Sequence, residues 1–139
     1  MTHVSKKLVA GKNFLGAYNQ LTYVFTKLKA KSNARDFATE FLTRTERIML
    51  TKRLAIILMT ARGYSSVKIG RHLKVSTSTV LQHRRKFLRG DYVKLLSLLG
   101  FKTKKNYERL WKEIERLFKI PPIAGPGRWT WVNEISDYN

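Results

Sequence analysis

Between Ser65 and Arg89 the chain gathers side chains that can bond a polyanion. The stretch KIGRHLKVSTSTVLQHRRKF, Lys68 to Phe87, holds four consecutive hydroxyl residues, Ser76 to Thr79, then Gln82, Arg84, Arg85 and Lys86. Hydroxyls and amides bond base edges, guanidinium groups bond guanine or phosphate in pairs, and ammonium groups attract phosphate as point charges. Ser and Thr are mediocre helix formers, because their side chains compete for nearby backbone groups. Something must therefore hold the hydroxyl run in order.

Other chemistries find little support. His3, His72 and His83 lack the H-x-x-x-H spacing and have no Cys companions, so no metal site is nominated. The GPGRW segment, Gly125 to Trp129, lacks the strand–loop–helix context of a phosphate loop. No catalytic residue and no cofactor is called for, and the chain does not read as an enzyme.

The composition agrees with a polyanion partner. Lys and Arg number 28 against 9 Asp and Glu in 139 residues, a formal charge of +19. That balance fits DNA, RNA or an anionic surface, and with the polar stretch above it favours double-stranded DNA. Hydrophobic residues make up 43%, enough for a folded chain with a core. There is no cysteine, which excludes disulfides and thiol chemistry and suits the cytoplasm. The longest apolar run, Leu54 to Met59, is too short to span a bilayer, so no membrane partner is expected. The basic N-terminus lacks an apolar core and a cleavage site, so no secretory leader is expected. A DNA-bound, nucleoid-associated protein of the cytoplasm follows from these readings.

The elements that must position the polar stretch read as helices throughout. Phe14, Tyr18, Leu21, Phe25 and Leu28 form a stripe on a helix of about 13–30. Ser32 is placed to cap a second helix with Ala34, Phe37, Ala38 and Phe41 on its apolar face. Thr43 and Glu46 make a capping box, and Gly63 suits the left-handed residue that ends a helix, so a helix of 44–62 is expected. Its centre holds six apolar residues in a row, Leu54 to Met59. A helix apolar nearly all round is buried on more than one side, and a second subunit is the favoured source of that second surface over the chain itself.

Two short helices follow, about 66–73 and 77–88. Asp91 is placed to cap a further helix ending near Gly100. Thr103 opens a last one, striped by Tyr107, Leu110, Trp111, Ile114, Leu117 and Phe118 and stopped by Pro121 and Pro122. Residues 1–120 read as one all-helical DNA-binding domain. Residues 121–139 read as an extended tail docked by Trp129 and Trp131.

Ser65 or Ser66 opens the first short helix, with Ile69 and Leu73 inward and Gly70 between them allowing a close crossing. Lys74 to Ser76 make the turn, Val75 plugs the junction, and Ser76 caps the next helix. At about 100° per residue, Val80, Arg84 and Phe87 share the inner side. Ser78, Gln82, Arg85 and Arg89 lie nearly opposite, flanked by Thr77 and Leu81. Short side chains at the entry let the helix approach base edges closely, and the amide and guanidinium groups then read them. Candidate DNA contacts are Ser66, Lys68, Arg71, Ser76, Thr77, Ser78, Thr79, Gln82, Arg85, Lys86 and Arg89, in a helix-turn-helix of about 65–88.

Leu42 to Phe87 resembles the DNA-binding core of the Trp repressor superfamily. The residues that carry this are LTRTER at 42–47, Arg53, ARG at 61–63 and KIGRHLKVSTSTV after Ser65. MTHVSKK at the start and PPIAGPGRWTW near the end resemble an uncharacterised branch of such regulators in small-genome bacteria. The resemblance implies an all-α intertwined homodimer that places two recognition helices in successive major grooves, as a transcriptional regulator with repression the expected outcome. It also implies an effector pocket that includes Thr43 and Arg53. The other half of that pocket is an Arg-Gly pair in the family, and Gln82-His83 stand there instead, which argues against tryptophan as effector. Two readings stay open beside this one: a non-catalytic DNA-binding module of a mobile element or architectural protein, and an RNA-binding protein.

Overall fold

A computed structural model describes residues 11–99 and 104–120. Seven helices occur among them and no strand: α1 Gly11–Phe25, α2 Lys31–Phe41, α3 Arg44–Ala61, α4 Ser66–Leu73, α5 Thr77–Leu88, α6 Val93–Leu98 and α7 Lys104–Phe118. The all-α expectation holds. MTHVSKK, Gly100, Thr103, the side chain of Tyr107 and the tail with Trp129 and Trp131 lie outside what is described. The chain divides into two compact units, Met1–Arg47 and Ile48–Asn139.

In the first unit α1 ends at Phe25, earlier than its apolar spacing suggests. The residues around its end, Thr22 to Thr26, are β-branched or aromatic and weak helix formers. The Thr22 and Thr26 hydroxyls donate back to Asn19 O and Tyr23 O. The backbone tightens into three-residue bonds from Thr26, Lys27 and Leu28. No residue of α1 or α2 is buried. The expected Ser32 cap is not formed. Ala30 takes the extended capping conformation with no side-chain bond, and Ala34 N–H already bonds Ala30 O at 3.1 Å, so Ser32 lies inside the first turn. The capping box of α3 is complete: Thr43 N–H donates to Glu46 Oε2 at 2.8 Å, and Glu46 N–H to Thr43 Oγ1 at 3.2 Å.

In the second unit every residue from Ala55 to Ala61 is buried. They join a core with Ile69 and Leu73 of α4, Val80 of α5, Leu96 of α6, and Trp111 and Ile114 of α7. The chain encloses this segment itself, so the apolar run does not by itself call for a second subunit. Sequence spacing shows that a helix is covered on several sides but not which element does the covering.

Helix α3 closes as expected at Gly63, whose φ is +84°. Gly63 N–H bonds Thr60 O and Tyr64 N–H bonds Met59 O, which satisfies two terminal carbonyls. The same pair of bonds closes α5 at Gly90, from Gly90 N–H to Phe87 O and from Asp91 N–H to Lys86 O. That closure draws Asp91 into the end of α5. Its carboxylate pairs with Arg89 at 2.8 Å instead of capping α6, which starts after Tyr92 without a side-chain cap. On α7 Trp111 and Ile114 are buried and Leu110 and Phe118 pack on the core, but Leu117 is exposed. Leu117 sits about a right angle off the stripe centred on Trp111 and Ile114 at 100° per residue.

Candidate nucleic-acid interface

Helices α4 and α5 make the most extensive helix–helix contact among the described residues. Ser65 caps α4, accepting from Lys68 N–H at 3.3 Å. Ile69 and Leu73 point into the core, 0% and 2% exposed. Lys74 takes a left-handed conformation with φ +52°, which turns the chain. Val75 N–H then bonds Gly70 O at 3.0 Å. Gly70 faces this turn: an added β-carbon would meet Val75 O at 2.9 Å. The close approach expected at Gly70 is thus made to the turn and the start of α5.

The hydroxyl run is ordered by its own bonds. Ser76 Oγ accepts from Thr79 N–H at 3.2 Å and lies 2.8 Å from Thr79 Oγ1 and 3.1 Å from Ser78 Oγ. Val80 is fully buried and Phe87 packs on the core, so both ends of α5 are anchored. Arg84 lies on the inner side, as its helical phase requires. Its Nη1 donates to Tyr64 O at 3.4 Å and to Ser66 Oγ at 3.3 Å, tying α5 to the start of α4.

The expected DNA contacts separate into two groups. Thr77, Ser78, Gln82 and Arg85 are exposed on one face of α5, and Lys68 and Arg71 are exposed on α4. Ser66, Ser76 and Thr79 have partners within the fold, as above, and Ser78, though exposed, shares a hydroxyl contact with Ser76. Arg89 is exposed but bonded to Asp91, and Lys86 is half-buried beside His83. The exposed groups are therefore short hydroxyls at the entry of α5, an amide one turn on, and a guanidinium beyond.

Two features of this region have no signal in the sequence spacing. Lys52 of α3 donates to Lys74 O at 3.5 Å, across twenty-two positions. His83 Nδ1 lies 2.7 Å from the Tyr92 hydroxyl and joins α5 to the residue before α6. Burial holds the His83 imidazole below its ordinary value, aided by the charges of Arg53 and Lys86. Burial raises the Tyr92 phenol, against the opposing pull of Arg53. The imidazole tautomer sets which of His83 Nδ1 and the Tyr92 hydroxyl donates in this bond. Leu81, which the helical phase placed beside the polar face, is exposed there.

Thr43 and Arg53, the two effector-pocket residues, fall in different compact units. The Thr43 hydroxyl is used by the capping box, and Arg53 is exposed. Among the described residues no group of three or more His, Asp or Glu side chains is placed to hold a metal ion. No helix there is long and apolar enough to cross a membrane. No protein-family model matches the chain, and comparisons with curated proteins and with solved structures find no match.

Proposed function

We propose that this chain is a sequence-specific DNA-binding transcriptional regulator. In this reading α4, the turn Lys74 to Ser76 and α5 form a helix-turn-helix of the Trp-repressor kind, and α5 enters the major groove. The observation that carries it is the division of α5. Val80, Arg84 and Phe87 fix it from within, while Thr77, Ser78, Gln82 and Arg85 stand exposed together. Side chains of graded length on a rigidly held helix are what base-edge readout requires. Lys68 and Arg71 of α4 supply phosphate contacts at the lip of the groove, and the charge of +19 supplies general attraction.

The proposed working form is a homodimer joined through α1. That helix is fifteen residues long with one charged residue, Lys12, and no buried residue. Phe14, Leu15, Tyr18, Tyr23 and Phe25 are each more than half exposed. An apolar face of this kind marks an interaction surface. Two strongly basic copies repel, and a nearly uncharged helix is where they meet at least cost. Exposed aromatics also suit stacking on single-stranded RNA, and Phe14 and Tyr18 are of that kind. Single-strand binders interleave cations with such rings along a groove, whereas Lys12 is the one charged residue of α1 and Lys27, just after it, lies over the Tyr23 ring at 4.8 Å.

Selection of bound sequences from a random duplex pool tests the function. A palindromic site with half-sites about one helical turn apart is the expected result. Equal binding to all duplexes, or preference for single-stranded RNA, would contradict it.

A further inference from the structure

From Thr77 to Lys86 the exposed face of α5 is polar except at Leu81, which is 39% exposed. Leu81 lies one turn from Thr77 and one from Arg85 along the same row of the helix, with Ser78 and Gln82 beside it. Single exposed leucines are common on protein surfaces and mean little alone. This one stands in the first two turns of a helix held by its Ser76 cap and by Val80 and Phe87. The next exposed apolar residue on that helix, Leu88, is two turns further on. Leu81 therefore belongs to no apolar patch on α5 and is surrounded by groups suited to base edges. The major groove has one feature that prefers an apolar side chain, the thymine C5-methyl group. Thr77, in the same row, adds a methyl of its own.

Resting on the duplex-reading assignment above, we propose that Leu81 is a specificity-determining residue. Its side chain packs on a thymine C5-methyl while Gln82 bonds an adenine, so that α5 reads a half-site bearing A·T pairs. Leu81 and Gln82 point about 100° apart and so address different base positions. The pairing of an apolar and an amide side chain at successive positions distinguishes thymine from cytosine by the methyl and adenine from guanine by the amide.

The test uses the full chain and the duplex it enriches from a random pool. Each thymine of that duplex is replaced in turn by deoxyuridine, which removes only the methyl group. At least one replacement should weaken binding by about three- to fivefold, the effect of one lost buried methyl. Leu81→Ala should bind the thymine and deoxyuridine duplexes equally, and Leu81→Met should keep the preference. Circular dichroism checks that both variants are folded. If every replacement is neutral for the parent chain, or if Leu81→Ala keeps the preference, Leu81 does not read thymine. If Leu81→Ala changes the oligomeric state and the loss is the same on both duplexes, the residue is an interface residue and the proposal is overturned. If the pool yields no preferred duplex, the duplex-reading assignment fails first and takes this inference with it.

Discussion

A β-carbon on Gly70 would stand 2.9 Å from the carbonyl oxygen of Val75. That oxygen is part of the turn between α4 and α5, so the neighbour that must give way is backbone and not a flexible side chain. Gly70→Ala should cost about 1–3 kcal/mol, the range for overpacking a well-fitted joint. Chemical denaturation measures the loss, and DNA affinity should fall with it because α5 is displaced relative to α4. A fully stable Gly70→Ala protein would mean that the turn can move away from α4 at little cost.

The burial of His83, with the charges of Arg53 and Lys86 beside it, gives stability a definite pH dependence. The folded chain holds His83 below its ordinary value of 6.5, while the unfolded chain takes up the proton at that value. Below about pH 6.5 the unfolded state thus binds more protons, and stability falls as pH falls toward the folded value. Melting temperature should be level from about pH 8 to 7 and decline from there to about pH 5, above most carboxylate titrations. His83→Gln should flatten that decline. An equal decline in parent and variant would place the sensitivity elsewhere.

The exposed face of α1 predicts how copies associate. Light scattering should find the full chain dimeric at micromolar concentration. Phe14→Lys or Tyr18→Lys should give a folded monomer, since neither residue is buried in its own unit. Helical circular dichroism should be unchanged in both variants. A monomeric parent chain, or variants that stay dimeric, would exclude α1 as the seam.

What could be read from the sequence was local. The Thr43–Glu46 box, the Gly63 closure, the Ser65 and Ser76 caps and the inner phase of Val80 and Arg84 depend on residues within a turn or two of each other. Two expected caps failed for equally local reasons. Ala30 had already set the first turn of α2 before Ser32, and the glycine closure of α5 turned Asp91 toward Arg89. What could not be read was tertiary. No spacing rule connects His83 to Tyr92, or Lys52 to the carbonyl of Lys74. The source of cover for Ala55 to Ala61 was likewise invisible, because a helix buried by its own chain and one buried by a partner have the same pattern.

The central claim is that the exposed face of α5 reads bases while α4 holds phosphates. Binding titrations on the selected duplex and on a scrambled one, at several salt concentrations, test it most directly. Gln82→Ala and Arg85→Ala should each weaken the selected duplex by about 1–3 kcal/mol and leave the scrambled one nearly unchanged. Lys68→Ala should weaken both alike and lower the salt slope by about one unit per subunit. Equal losses on both duplexes for Gln82→Ala and Arg85→Ala would show that α5 is not the reading element.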